Sequence, residues 1–353
     1  MARNEHPRLA EPPADPFGER HRPQLRERFQ LLGGEFHFET DSPQLLRIVR
    51  QAYLRLPAHT FNPVAPRFRV RLTLTNRQRT THAQGEPPRM LSLGAGGMLC
   101  GAMETASFVA LTPELRSALV VVPREMLGYP YHVRYEMLEF AVYVLASRVQ
   151  GLVPLHAACV GRGGEGILLL GGSGSGKTTL SLHCLLDGLE FLAEDSVLVA
   201  PSGLRATGIA NFLHVRPDSL RFLDSGSRAA LLARSSAIRR RSGVEKLEID
   251  LRRSQYRLAP APLRIRALVF VSPKPAVARS LIAPVPQPRL RQKLAASQRY
   301  AAHQPGWTAF ARQVYRLPAF ELRRARHPQQ AVEALRELLP PEPKTRAGKR
   351  GGP

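Results

Sequence analysis

Residues Gly166–Leu186, GILLLGGSGSGKTTLSLHCLL, decide how this chain is read. Ile167 to Leu170 form an apolar run of strand character, a glycine-rich turn follows, and an amphipathic helical pattern begins after it. Inside the stretch stands Gly171-x-x-x-x-Gly176-Lys177-Thr178, the full phosphate-loop spacing. Each residue type has a physical reason to be there. Gly171, Gly172, Ser173, Gly174, Ser175 and Gly176 let successive backbone N–H groups turn inward on an anion. The helix that follows aims its positive end at the same place. Lys177 is expected to reach the β- and γ-phosphates, and the Thr178 hydroxyl to sit on Mg²⁺. A flexible glycine linker explains neither the apolar run nor the Lys-Thr pair. The stretch is that of a nucleoside triphosphate site.

The flanks add chemistry. Upstream, Leu155 to Val160 reads as a strand beginning beside His156. Gly161 to Gly164 turn it back into the strand that enters the loop, so a hairpin feeds the loop where a parallel crossover is commoner. This places His156 on the strand paired with the loop strand. Downstream, the apolar run from Leu189 closes on Glu194-Asp195, eighteen residues past Lys177. One carboxylate can hold the shell of a metal, and the other can accept a proton from an attacking hydroxyl. A polar turn between two strands is the plainer reading of those acids, and a satisfied core histidine is the plainer reading of His156.

Composition narrows the setting. The chain has 353 residues, enough for two domains, and 43% of them are hydrophobic. No apolar run approaches the ~18 residues of a membrane helix, and MARNEHPRLAEPP has no secretory h-region. Cys100, Cys159 and Cys184 are scattered in apolar contexts, which predicts reduced core residues in a cytoplasmic protein. The formal charge of +23 comes from 51 basic residues, only six of them lysine. Such a charge favours acidic partners. It is spread along the chain without interleaved aromatics or a helix-turn-helix, so nucleic acid is disfavoured as a partner and an Arg-rich composition accounts for it equally.

The rest of the chain is quieter. Residues 1–28 read as a disordered leader and 340–353 as a disordered basic tail. Residues 29–133 read as an α+β domain: a strand pair about Gly33-Gly34, a helix from Pro43 capped by Asp41 or Ser42, and short strands at Phe68–Leu74, Met90–Leu93, Phe108–Leu111 and Leu119–Val122. It carries no chemical cluster; presenting a substrate, or pairing as a homo-oligomer, are roles open to it. Residues 134–339 would form the nucleotide-binding domain. It opens with a helix over Arg134–Val149 and has a basic, mobile excursion at Ala229–Arg241, a strand at Val244–Leu251 and a central strand at Ile265–Val271. A closing helix spans Pro328–Leu339. The fold class expected is α/β with mixed sheets.

Residues 154–199, PLHAACVGRGGEGILLLGGSGSGKTTLSLHCLLDGLEFLAEDSVLV, resemble the catalytic domain of HPr kinase/phosphorylase and its kinase relatives, which share a nucleotide-binding core with ATP-dependent phosphoenolpyruvate carboxykinase. The likeness extends more loosely over about 135–339. It implies ATP on Gly171 to Thr179, Mg²⁺ on Thr178 and Glu194, and Asp195 as the base toward a serine hydroxyl. It also implies His156 beside that base and Lys246 as a further phosphate contact. The best-known members carry two aspartates where this chain has Glu194-Asp195, and His-Gly where it has His156-Ala157. Their Arg-Gly-x-Gly segment is only echoed in Arg205-Ala206-Thr207-Gly208-Ile209. The acceptor implied is therefore a serine of a small protein or peptide other than HPr. A nucleotide-gated scaffold without transfer activity, and an ATPase acting on nucleic acid, stay open beside the kinase.

Overall fold

A computed structural model describes residues 23–76, 87–104, 106–241, 243–253, 256–276 and 280–341. The fold is α/β, built on mixed sheets. Most of the first 28 residues, and nearly all of the C-terminal tail, lie outside the described residues. The part of the expected leader that is described is not disordered: strand β1 (Leu25–Leu31) starts there and pairs antiparallel along its whole length with β2 (Gly34–Thr40). Its short alternation, Leu25, Glu27 and Phe29 against Arg26 and Arg28, was hidden among the charges of the leader.

Seven strands make the first sheet, in the order β1-β2-β3-β7-β6-β5-β4. The remaining members are β3 (Arg67–Thr75), β4 (Leu91–Ala95), β5 (Met98–Glu104), β6 (Ser107–Thr112) and β7 (Ser117–Pro123). β2, β3 and β7 run parallel, and the other pairs are antiparallel. Helix α1 (Pro43–Tyr53) starts on Ser42, whose hydroxyl accepts from the Leu45 N–H at 3.3 Å, with Pro43 in the first turn. Leu45, Val49, Ala52 and Tyr53 pack on Phe36, Phe38 and Val70 in one buried cluster.

A helical turn α2 (Pro130–His132) continues through a π-helical segment (Val133–Leu138) into α3 (Glu139–Gln150). Ala141, Val142, Leu145 and Ala146 of α3 fill the same cluster, and so do Leu198, Ala200 and Ile209 from beyond the phosphate-loop stretch. One buried cluster therefore spans the N-terminal sheet and the segment that follows the acids.

The second sheet runs β11-β9-β10-β17-β13-β12-β8, with β19 also beside β17 and β18 beside β19. Its strands are β8 (Val153–Leu155), β9 (Ala157–Arg162), β10 (Glu165–Leu170), β11 (Glu190–Ala193), β12 (Val197–Ala200), β13 (Arg205–Gly208), β17 (Leu263–Pro275), β18 (Ile282–Pro284) and β19 (Ala319–Arg324). β10 is antiparallel to β9, as the hairpin predicts, and parallel to β17. Burial on both faces explains the unbroken apolar run of β10. Ile167 and Leu169 face α4 (Lys177–Leu186) and α9 (Pro328–Arg336). Leu168 and Leu170 face α6 (Gln287–Ser297) and α8 (Trp307–Val314), with α7 (Arg299–Ala302) between these two in the chain.

A third sheet, β14-β16-β15, joins β14 (Phe212–Val215), β16 (Glu245–Asp250) and β15 (Ser235–Arg239). The stretch expected as a mobile excursion is thereby corrected. It forms α5 (Ser225–Leu232) and then β15, which pairs with β16 from Ser235 to Arg239. Its Ala/Ser/Arg composition carries little periodicity, because only Leu231 of α5 is buried.

Candidate active site

The loop Gly171–Gly176 joins the end of β10 to the start of α4. Gly171 and Gly176 each have a physical reason to be glycine. A Cβ on Gly171 would stand 2.7 Å from Ser175 Oγ and 2.8 Å from the Val271 carbonyl oxygen. Gly176 caps the helix at φ 102°, a conformation that L side chains rarely adopt. Among the described residues no side chain caps α4, so its first N–H groups are left for an anion. The Ser175 hydroxyl is buried within the loop and has no partner among the described residues.

Lys177 lies folded across the loop. Its Nζ donates to the Gly171 carbonyl at 2.6 Å and the Gly172 carbonyl at 3.4 Å. Burial lowers its pKa, with Asp195 and Glu194 acting against that and Lys246 adding to it. Thr178 Oγ1 donates to Glu194 Oε1 at 2.5 Å. Thr179 points elsewhere: its hydroxyl bonds Ser219 Oγ at 2.8 Å.

Glu194 and Asp195 follow β11, at the turn before β12. Glu194 is buried, and its second oxygen accepts from the His214 N–H at 2.9 Å. Burial and then the neighbouring Asp195 raise its pKa. Asp195 is part-exposed, with Arg240 Nη2 3.7 Å from its Oδ2. Arg240 also lies over the Tyr135 ring at 5.1 Å. Lys246, on β16, belongs to the same electrostatic neighbourhood. Burial lowers its pKa; Glu194 raises it and Arg240 lowers it further. The residues singled out by sequence therefore converge, with cations crowded around two carboxylates.

The position of His156 differs from that expected. It is not on the strand paired with β10. It occupies the break between β8 and β9, where the chain leaves β12 and joins β10. Gln298 clamps this break, accepting from the His156 N–H at 2.8 Å and donating to its carbonyl at 3.0 Å. The ring Nδ1 is 3.2 Å from the Asp195 carbonyl oxygen, and Nε2 is 3.4 Å from Lys177 Nζ. A carbonyl can only accept, so Nδ1 carries the proton and Nε2 offers its lone pair to the ammonium. The histidine thus orients the acid turn through its backbone and not through the Asp195 carboxylate.

Sequence reasoning missed the layer behind. His214 Nε2 lies 3.0 Å from Glu248 Oε1, and Glu248 is ion-paired to Arg134, both buried. Arg134 lies 4.2 Å from the centre of the Phe212 ring. The alternation of the strand expected over Val244–Leu251 puts Glu248 on the same face as Lys246, which is the one sequence signal that could have found it.

The donor set fits Mg²⁺: a hydroxyl and a carboxylate, both hard oxygens, at the mouth of an anion cradle with an orphaned Ser175 hydroxyl. Among the described residues no three His, Cys, Asp or Glu gather as a metal cage. A cation here would share its remaining positions with phosphate and water, as Mg²⁺ does. Also among the described residues, no helix is long and apolar enough to cross a membrane. Cys159 and Cys184 are buried free thiols, and Cys100 is half-buried.

No family model matches the chain, and no curated protein matches it. Among solved structures it is similar to the Hpr(Ser) kinase/phosphatase from Coxiella burnetii, at 11% identity over 52% of this chain and 88% of that one, with a TM-score of 0.27.

Proposed function

We propose that the chain is an ATP-dependent kinase that transfers the γ-phosphate to a hydroxyl, in our reading a serine of a protein or peptide. The observation that carries this is the Thr178–Glu194 contact beside Asp195. It joins the start of α4 to the acid turn in one site, as phosphate binding and proton removal both require. Loop N–H groups from Gly172 to Gly176 and the open end of α4 would hold the phosphates. Lys177 would leave the Gly171 carbonyl for the β- and γ-oxygens. Thr178 and Glu194 would hold Mg²⁺, which when bound neutralises charge on the phosphate oxygens.

The acceptor hydroxyl oxygen forms a bond to the γ-phosphorus as the bond from that phosphorus to the β–γ bridging oxygen breaks. The hydroxyl proton passes to the Asp195 carboxylate, and ADP leaves with the electron pair of the broken bond. Arg240, Lys246 and Lys177 supply positive charge around the moving phosphoryl group. His156 and Gln298 hold the acid turn in place.

With γ-labelled ATP and a pool of serine peptides, wild type is expected to transfer label. Asp195→Asn should keep ATP affinity and lose about 10²–10⁴-fold in rate, the usual worth of a general base. Full transfer by this variant would remove Asp195 from its role. The scaffold reading draws on one observation, the Arg240 guanidinium beside Asp195. It predicts ATP binding with no label transferred to any peptide.

A further inference from the structure

Strand β4 stands apart from the rest of its sheet. It is the outermost strand, bonded among the described residues only to β5, and all of its residues are exposed. Leu91 and Leu93 are 69% and 70% exposed. Open apolar edges of this kind are usually blunted by charge or proline, because they template pairing with another chain. The direction of its free backbone groups follows from the turn. Gly96 and Gly97 sit at φ 56° and 79°, the two-residue hairpin geometry, so Ala95 and Met98 form the closing hydrogen-bonded pair. Counting back by alternation, Leu93 and Leu91 bond inward to β5, while the N–H groups of Gly94 and Ser92 face outward.

This edge lies on the wall of a cavity of about 910 Å³ whose lining also includes His156, Glu194 and Asp195. Tyr143 and other residues of α3 line it, as do Gln298 and Arg299. Among the described residues, the exposed charges in its lining are positive. Arg89, Arg148 and Arg299 are exposed there, whereas Glu136 is already held by Arg241 at 2.5 and 2.6 Å. An unpaired strand edge recognises another extended backbone, which neither a sugar nor a small metabolite presents.

We propose that β4 is the docking strand for the acceptor. An extended acidic peptide segment adds to the sheet at β4 and runs along the cavity, carrying its serine to Asp195. The proposal rests on the kinase reading for the fate of the serine, but not for the docking itself.

The test uses the full chain and a synthetic peptide that alternates glutamate and valine around a central serine. A second copy of the peptide is N-methylated at alternate backbone nitrogens, so that it cannot pair with an edge. Ser92→Pro removes an outward donor without touching the bonds to β5. Thermal unfolding establishes that this variant is folded, and the methylated peptide tests the edge on wild type without any substitution. Binding is read by fluorescence anisotropy, and transfer by label from ATP. The expected result is binding and transfer by wild type, with affinity reduced about tenfold or more, the worth of one or two lost hydrogen bonds, both by Ser92→Pro and by methylation. Arg148→Glu with Arg299→Glu should weaken binding further as salt is lowered.

Equal binding of the plain and methylated peptides overturns the docking and leaves the kinase reading intact, as does transfer with no dependence on Ser92. Failure of wild type to bind the peptide also overturns the docking. Edge-dependent binding without transfer supports the docking and removes the kinase reading. A wild-type dimer that Ser92→Pro converts to monomer assigns β4 to a second copy of the chain, and the proposal falls.

Discussion

Glu139 sits in α3, buried, with its carboxyl facing the cavity, Asn211 and the Arg134–Glu248 pair. Burial pushes its pKa up to about 7, against the pull of Arg134 and of the Asn211 hydrogen bond. The sign of the consequence is fixed by linkage. Between the usual carboxylate range and about 7, the folded protein keeps a proton that the unfolded chain has lost. Stability should therefore fall as pH rises through that window and level off above it. Glu139→Gln should remove the slope and unfold at a higher temperature than wild type near about pH 8, where the charged form is most costly. Thermal unfolding across a pH series checks this, and parallel pH profiles for the two proteins would contradict it. The same burial logic separates the cysteines: it pushes the thiols of Cys159 and Cys184 up, which leaves both as inert core residues.

At the level of elements, the π-helical segment over Val133–Leu138 places Arg134 against Glu248 of β16 and Tyr135 beneath Arg240. Glu248 in turn meets His214 of β14, whose backbone holds Glu194. Three elements far apart in sequence thus fix the carboxylate that Thr178 touches. Glu248→Ala should cost about 3–5 kcal/mol in urea unfolding, because it leaves the buried Arg134 charge without its partner. The double substitution Arg134→Met with Glu248→Leu should recover most of that loss, yet still weaken Mg²⁺-dependent ATP binding, since His214 loses its anchor. Recovery of both stability and binding would show that the layer is structural only. These same contacts explain what the sequence left unread. The loop, its hairpin and the apolar β17 are local patterns, so Gly171, Lys177, Thr178 and the Ile265–Val271 run could be recognised from neighbours a few residues away. Arg134, His214, Glu248 and Gln298 meet the site only through tertiary contacts 20 or more residues distant in the chain, for example Gln298 with His156 at a separation of 142. The switch of strand partners at His156 was equally invisible, because Leu155 to Val160 is apolar on both sides of it.

For the whole molecule, the N-terminal sheet is not a loose appendage of the second sheet. His59 bonds Thr207 Oγ1 at 2.7 Å and the Ala259 carbonyl oxygen at 2.9 Å, and Asn211 donates to the Ala52 carbonyl at 3.1 Å. Through these contacts and the shared apolar cluster, α3 is held on the cavity that the acid turn also lines. The account as a whole depends on one claim, that the loop and the acid turn together form a Mg²⁺–ATP site. Calorimetric titration of ATP into the full chain, with and without Mg²⁺, tests it most directly. The account predicts saturable binding that is strengthened by Mg²⁺, with Lys177→Ala weakening it in either condition and Glu194→Gln losing the Mg²⁺ dependence alone. Failure of wild type to bind ATP, or binding indifferent to Lys177 and Glu194, would contradict it.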